Sequence, residues 1–506
     1  MDSRPNILVL MTDQWAGNVT SWEGHPAVVT PNLDALARKS TVFSSAYCAS
    51  PLCAPSRASF MTGRLPSRHG VFDNAAELPA SVPTFAHVLR AAGYRTVLCG
   101  KMHFVGPDQL HGFEERLTTD IYPADFGWVP DWTKPDERID WWYHNMASVQ
   151  QAGEAEITNQ LAFDDETAFR ARARLRDFAR NGEAPFCMVV SFTHPHDPYA
   201  MRRRYQEMID PARIPGPSGG FADDPHSRRL RHVSDMEAMP TGEEEERAAR
   251  QAYLGALAYL DEQIGEILAI LGETGQADNT IILFTSDHGD MLGDHGLWYK
   301  MSFFEGSVRV PLLVHDPAQP HPRRVATNVS LLDIMPTLAG LAGTPSSPLL
   351  DGIDGESLLP LLGGGELARG DRIFAEYQGE GSIAPMVMIK DGSLKYIHSE
   401  SDPPLLFDLD ADPLEETDIA LTDPRAAALA RAIGERFHLG ELNEEVLRSQ
   451  KRRRELDRAL RKGVFTSWDF QPFIDESRRF MRNHLDLNDV EEQSRFPRPV
   501  NTRRTT

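Results

Sequence analysis

Short, almost wholly apolar runs alternate with longer amphipathic stretches along the first two thirds of this chain, and no other feature limits its fold so strongly. Ile7-Leu-Val-Leu-Met11, Phe186 to Phe192, Thr280 to Thr285 and Val310 to Val314 lack polar alternation, as strands buried on both faces do. Thr84 to Ala92 and Ala248 to Leu271 repeat their apolar residues with a helical period. The pattern predicts an α/β fold with a mixed, mostly parallel sheet sandwiched by helices. In such sheets ligands gather just past the carboxyl ends of the strands. Asp13, His194 and Asp287 stand at those positions, delivered by three separate strands.

The character changes near Gly363-Gly-Gly365. Ile373 to Tyr377, then Met386 to Ile397 with its Asp-Gly turn, predict an antiparallel hairpin system, closed by Leu406 to Pro413 and a helix from Pro424 to Phe437. Three parts result: a catalytic α/β domain over 1–365, a smaller α+β domain over 366–439, and a helical tail over 440–506. Pro215 to Thr241 reads as an irregular surface excursion, and Lys451-Arg-Arg-Arg454 as a solvated helix face.

With 74 acidic against 52 basic residues the net charge is -22, which argues against nucleic acid or an anionic membrane as a partner. The four cysteines (Cys48, Cys53, Cys99, Cys187) have no regular spacing, so a reducing compartment is expected rather than a disulfide framework. The first strand begins directly after Met1-Asp-Ser-Arg-Pro5 with no secretion signal, so a cytoplasmic protein is expected.

Chemistry concentrates in a few motifs. Asp13-Gln14 and Asp287-His288-Gly289-Asp290 bring hard ligands from separate strand ends, which suits a divalent cation such as Ca2+ or Mg2+. Lys101-Met102-His103 follows the strand-like Tyr94 to Gly100, placing an ammonium and an imidazole on one side. Asn74, in Asp73-Asn-Ala-Ala-Glu77, is either an amide donor to substrate or a plain turn residue.

Cys53-Ala-Pro-Ser-Arg57, continued by Ala58 to Arg64, resembles the nucleophile motif of the type I sulfatases, whose fold is of the alkaline phosphatase-like superfamily. The resemblance implies that a maturation enzyme oxidises Cys53 to formylglycine, and that the hydrated aldehyde attacks the sulfur of a sulfate ester. It implies catalytic roles for Arg57, Lys101, His103, His194 and Lys300, the last following Gly296-Leu-Trp-Tyr299. His196 stays open between turn and site. The resemblance also implies one metal on Asp13, Gln14, Asp287 and His288, with Ca2+ expected and Mg2+ or Mn2+ as alternatives. Sulfatases commonly carry two adjacent acids at the first position, so Gln14 implies an amide-donated contact.

The likeness narrows to choline sulfatases through Gly106 to Trp128, Ile139 to Asn145, Val190 to Pro198, Trp468 to Pro472, Met481-Arg-Asn-His484 and Arg495-Phe-Pro-Arg498. That branch implies choline sulfate as substrate. A quaternary ammonium donates no hydrogen bonds and is gripped by aromatic faces and carboxylates; Trp128, His144 and Glu380 match the pocket positions, with Asn74 toward the sulfate. The branch further implies a homodimer or homotetramer whose tails close neighbouring pockets. A carboxylate of that pattern falls here on Asn488, flanked by Asp486 and Asp489, which weakens the choline preference unless a flanking aspartate substitutes. The alternative reading keeps the fold and cleaves other sulfate esters, or phosphate or phosphonate esters, since tetrahedral oxyanions fit similar cation clusters.

Overall fold

A computed structural model describes residues 4–182, 184–319, 322–473, 486–495 and 497. Its main sheet contains β1 (Asn6–Asp13), β2 (Thr41–Phe43), β3 (Arg95–Gly100), β4 (Glu115–Arg116), β5 (Phe186–Pro195), β6 (Thr280–Ser286), β7 (Leu312–His315) and β8 (Arg323–Val325). The spatial order is β8-β2-β7-β6-β1-β5-β3-β4. From β6 to β4 every pairing is parallel, whereas β7 runs antiparallel to both of its neighbours. Ile7 to Met11 on β1 are inaccessible to solvent, which is why that run carries no polar residue.

Five helices frame the sheet and the site: α1 (Cys53–Thr62), α2 (Phe85–Ala91), α3 (Asn159–Asn181), α4 (Pro225–Val233) and α5 (Glu243–Glu273). The long α3 and α5 pack on each other and on β5, while α1, α2 and the helix Ile334–Leu341 pack together, with α2 on β3. Their starts follow from sequence. Thr158 accepts from Leu161 N at 3.0 Å, and Glu245 reaches back to Gly242 N at 2.8 Å, with four glutamates in the first turn of α5 favouring the helix dipole.

Close backbone approach matters at one glycine above all. Gly100 ends β3 at φ 99°, where a Cβ would stand 1.9 Å from Ser191 O, so β3 is able to press against β5 there. The next residue, Lys101, donates its amide to that same oxygen at 2.9 Å and is thereby delivered to the strand ends.

The second sheet is an antiparallel meander of β9 (Arg372–Tyr377), β10 (Met386–Asp391), β11 (Leu394–Ser399) and β12 (Leu405–Asp408). Gly392, at φ 57°, turns the expected Asp-Gly hairpin. Helices α6 (Arg425–Arg436) and α7 (Leu439–Leu460) complete it, and α7 packs Leu439, Leu442 and Val446 into a core shared with Val387, Ile389, Phe72 and Trp132.

Three expectations meet differences. Pro215 to Thr241 is not irregular throughout: Asp224 caps α4 by accepting from Ser227 N at 3.0 Å, Pro225 starts it, and Leu230 packs over Gly381. The Val310 to Val314 run forms its strand from Leu312 onward. The Lys451 to Arg454 run is not simply solvated, because Arg453 is buried against Asp73.

A buried ion triad ties the second sheet to the Phe303–Glu305 segment of the first domain. Lys395 on β11, fully buried, reaches Glu305 Oε1 at 2.6 Å, Glu415 Oε1 at 2.7 Å and Phe303 O at 2.9 Å. Removing the ammonium leaves two buried carboxylates without their partner. Lys395→Met is expected to lower stability by about 3–5 kcal/mol, read as a lower urea midpoint by circular dichroism.

Candidate active site

β1 and β6 end side by side, and each delivers a carboxylate at its tip. Asp13 closes β1 and Asp287 follows β6, both fully buried. The second turn of α1 ties them together. Arg57 Nη2 donates to Asp13 Oδ2 at 2.9 Å and Nε to Asp287 Oδ2 at 2.8 Å, while Nη1 donates to Lys101 O and Ser191 Oγ, each at 2.8 Å. Burial opposes the guanidinium, yet Asp287 and Asp13 raise its pKa above the ordinary arginine value. Ser56 Oγ donates to Asp287 O at 2.6 Å. The motif around Cys53 therefore serves as a frame, because it ties the two strand-end carboxylates together.

Cys53 opens α1, where helix amides lack internal partners. Asn74 Oδ1 satisfies one of them, accepting from Ala54 N at 3.0 Å. Cys53 Sγ lies 3.2 Å from His288 Nε2 and 4.0 Å from Asp13 Oδ1. His288 Nδ1 bonds Gly289 O at 2.9 Å, and burial lowers its pKa, so a neutral ring presents Nε2 to the sulfur.

Donor atoms of Asp13, Cys53, Asp287 and His288 all lie within 4.8 Å of one another. His288 Nε2 is 3.8 Å from Asp13 Oδ1 and 3.8 Å from Asp287 Oδ1. Two carboxylates and an unprotonated imidazole around one point fit a divalent cation. Gln14 enters differently from the expectation. At φ 68° its amide N–H holds Asp287 Oδ1 at 3.1 Å, while its side chain donates to Asp290 Oδ2 and accepts from Lys300 Nζ, each at 2.7 Å. Both ends of the amide are thus used by Asp290 and Lys300, away from a ligand role.

The cations surround this point. Lys101 ion-pairs with Asp13 and sits 4.0 Å from the centre of the Tyr122 ring. Burial would raise the Asp13 carboxyl, but Lys101 and Arg57 hold it well below the usual range. Lys300 Nζ lies 2.7 Å from His196 Nε2. Burial works against its ammonium, but Cys53, Asp197 and Asp13 raise its pKa overall. Burial and Lys300 push His196 well below its ordinary pKa, so its neutral Nε2 accepts from Lys300 while Nδ1 donates to Asp197 O at 2.7 Å.

The sequence predicts His194 in the site and leaves His196 open; the structure puts His196 against Lys300 and His194 against Asp164. His194 is turned toward the helices: its Nδ1 lies 2.7 Å from Asp164 Oδ2 on α3, and its ring packs 5.5 Å from Tyr259 on α5. Asp164, buried beside the strand end, also accepts from His194 N at 2.9 Å and captures that residue. His103, at φ 58°, stands between Tyr122 (5.1 Å) and Trp128 (6.0 Å), and neither ring nitrogen has a partner among the described residues.

An aromatic group extends from there. Trp128 stacks on Trp142 at 6.1 Å and meets Tyr122 at 5.0 Å, and His144 stacks on Tyr299 at 4.5 Å. Glu380 is buried with Oε2 unpaired, and burial raises its pKa to about 7. Its neighbour Gly379 lies against Leu52, the residue before Cys53: a Cβ there would stand 2.8 Å from Leu52 Cδ2. The side chain of Asn488, and Met481 to His484, lie outside the described residues. Trp468 packs on Phe126 of the same chain at 5.3 Å.

Four residues were not singled out from sequence or were left open there. His196 and Asp197 belong to the same His-Pro-His-Asp-Pro run, where only the direction of each side chain separates roles. Asp290, two residues past His288, accepts from Gln14 and from Tyr199 OH at 2.8 Å. Tyr122, within 3.3 Å of His196, had no pattern to mark it.

Comparison with known proteins agrees with this geometry. A family model described as "Sulfatase" matches residues 5–344, one described as "N-sulphoglucosamine sulphohydrolase, C-terminal" matches 293–442, and one described as "Choline sulfatase enzyme C terminal" matches 444–496. The chain is 48% identical to a choline-sulfatase of Rhizobium meliloti (strain 1021), over 98% of this chain and 99% of the relative. It is 31% identical to a multifunctional alkaline phosphatase superfamily protein of Trinickia caryophylli, over 85% and 93%. Among solved structures, a phosphonate monoester hydrolase of Agrobacterium radiobacter superposes with a TM-score of 0.67 at 28% identity, covering 88% of this chain and 96% of the other. The fold is alkaline phosphatase-like, and the chain belongs to the sulfatase family as a sulfuric ester hydrolase.

Proposed function

We propose that the chain hydrolyses choline-O-sulfate to choline and sulfate. The observation that carries the reading is the buried Glu380 carboxylate, whose Oε2 has no hydrogen-bond partner among the described residues and whose neighbour Gly379 lies against Leu52, in a protein that also presents the aromatic faces of Trp128, Trp142 and Tyr122. A sulfate needs the cations at one end, and a quaternary ammonium needs a carboxylate and rings at the other. The name of the Rhizobium meliloti relative supports the same substrate. The phosphonate monoester hydrolase neighbour matches only the alternative, a hydrolase of other oxyanion esters.

Cys53 is the position of maturation, and the formylglycine hydrate there supplies the attacking oxygen. Asp13, Asp287 and His288 would hold a divalent cation, with Ca2+ favoured by the hard carboxylates, and it would supply Lewis-acid charge to the site. Arg57 acts by holding Asp13 and Asp287, since its donors are already used by protein. Lys101 and Lys300 offset charge on the sulfate oxygens. His196, neutral and bonded to the Lys300 ammonium through Nε2 and to Asp197 O through Nδ1, holds that ammonium in place, and Lys300 gives a proton to the leaving oxygen, the role first expected of His194 with Lys300. His103 takes the remaining proton at position 53 through a ring nitrogen that has no partner among the described residues.

The four cysteines are free and buried, which supports the cytoplasmic assignment. No described helix is long and apolar enough to cross a membrane. The division at 365/366 stays part of the proposal, but α7 packs into the core of the second unit, so the assembly element of the proposed homodimer or homotetramer is the chain beyond Leu460. Exposed Val464 and Phe465 support that assignment.

Sulfate release from choline sulfate, with the Cys53 peptide checked by mass spectrometry for the aldehyde, tests the reading. Turnover is expected in matured protein, and Cys53→Ala is expected to lose at least about 10³-fold; near-normal release from that variant contradicts the chemistry. Glu380 gives a pH dependence with a definite sign. Its pKa of about 7 reflects burial, opposed by Lys300 and reinforced by Asp73, so the carboxyl is neutral below that pH and anionic above it. A cation binds the anionic form, so KM for choline sulfate is expected to fall as pH rises from about 6 to about 8. Glu380→Gln is expected to hold KM at its high, acidic-limb value throughout.

A further inference from the structure

One turn of α7, far along the chain from Cys53, Lys101, His194 and Asp287, is bonded to two separate segments, Asp73 and Pro130 to Trp132. Arg453 lays its fork on Asp73, Nη1 to Oδ1 at 2.6 Å and Nη2 to Oδ2 at 2.7 Å, and its Nε donates to Ser449 Oγ at 3.2 Å. Gln450 Oε1 accepts from Trp132 N at 3.1 Å, and Trp132 Nε1 donates to Gly379 O at 3.0 Å, next to Glu380. Arg454 Nη1 donates to Pro130 O at 3.0 Å and pairs with Asp131 Oδ1 at 2.7 Å.

Asp73 is the link to the nucleophile. It is fully buried, its Oδ1 also accepts from Ala75 N at 3.0 Å, and between those residues Asn74 caps Ala54 beside Cys53. A bidentate guanidinium–carboxylate pair fixes both distance and plane, which a lysine does not. It also neutralises Asp73, whose charge otherwise adds to that of Glu380.

We propose that Arg453 is a positioning residue for the part of the site that takes the cationic alcohol end of the substrate, holding the Asp73–Ala75 loop while its neighbours Gln450 and Arg454 hold Pro130 to Trp132. The proposal rests on the cationic-ester reading of the site. It gives the tail helix a role in specificity within its own chain.

The test compares choline sulfate with 4-nitrophenyl sulfate, whose alcohol end carries no cation. Wild-type protein is expected to favour choline sulfate in kcat/KM; absence of that preference overturns the cationic-ester reading itself, before any variant is made. Arg453→Lys, which keeps charge but loses the fork while Asp73 still holds Ala75 N and Asn74 still caps Ala54, is expected to raise KM for choline sulfate about tenfold or more, with little change in kcat. Parameters for 4-nitrophenyl sulfate are expected to stay near wild type, as is the melting temperature of Arg453→Lys. Arg458→Ala, which alters an exposed residue of the same helix, is the control and is expected to leave both substrates unchanged. Equal losses on both substrates would reduce Arg453 to a structural brace, and an unchanged KM would remove it from the pocket altogether.

Discussion

Everything at this site hangs on one buried guanidinium. Asp13 and Asp287 arrive on adjacent parallel strands, and two carboxylates so close in a dry interior would repel each other and take up protons. Arg57 prevents that by spanning both, and Lys101 adds a second positive charge at Asp13. The anionic pair is then available to a divalent cation, and the helix that carries Arg57 necessarily carries Cys53 one turn earlier. Nucleophile and cation ligands are therefore fixed in one rigid unit.

The rest of the molecule divides the work around that unit. The parallel sheet supplies charged groups at its strand ends, where the proposal puts the sulfate. The proposed opposite end of the substrate lies toward irregular chain from Tyr122 to His144 and the start of the second sheet's connection at Glu380. Those segments lack regular backbone bonding, so they depend on outside support: Trp132 on Gly379, the 73–75 loop on α7, and Lys395 between the second sheet and the Phe303–Glu305 segment. A specificity pocket built from loops is accordingly placed under several independent restraints.

Much of this was legible in the sequence because it is local. Apolar runs without alternation announced the central strands, the Asp-Gly turn announced the second sheet, and the Cys53 motif marked Cys53 and Arg57 as a pair, which α1 brings to the two strand-end carboxylates. What escaped was direction and partnership at long range. Nothing in His194-Pro-His196 says which ring meets Lys300, because Asp164 on another element decides it. Gln14 looked like a substitute ligand, yet an amide has a donor and an acceptor, and Asp290 and Lys300 occupy both. Arg453 looked solvated because its partner lies 380 positions away. The cap that starts α4 was written in Asp224-Pro225, but the surrounding Pro, Gly and Asp residues masked it.

The most direct test of the central claim is calcium titration by calorimetry on chelator-treated protein, read without reference to turnover. One site per chain is expected. Asp13→Asn and Asp287→Asn are each expected to weaken it at least about tenfold, and Gln14→Ala far less, because its side chain is engaged elsewhere. Full-affinity binding in both aspartate variants would contradict the account, and so would a loss on Gln14→Ala as large as theirs.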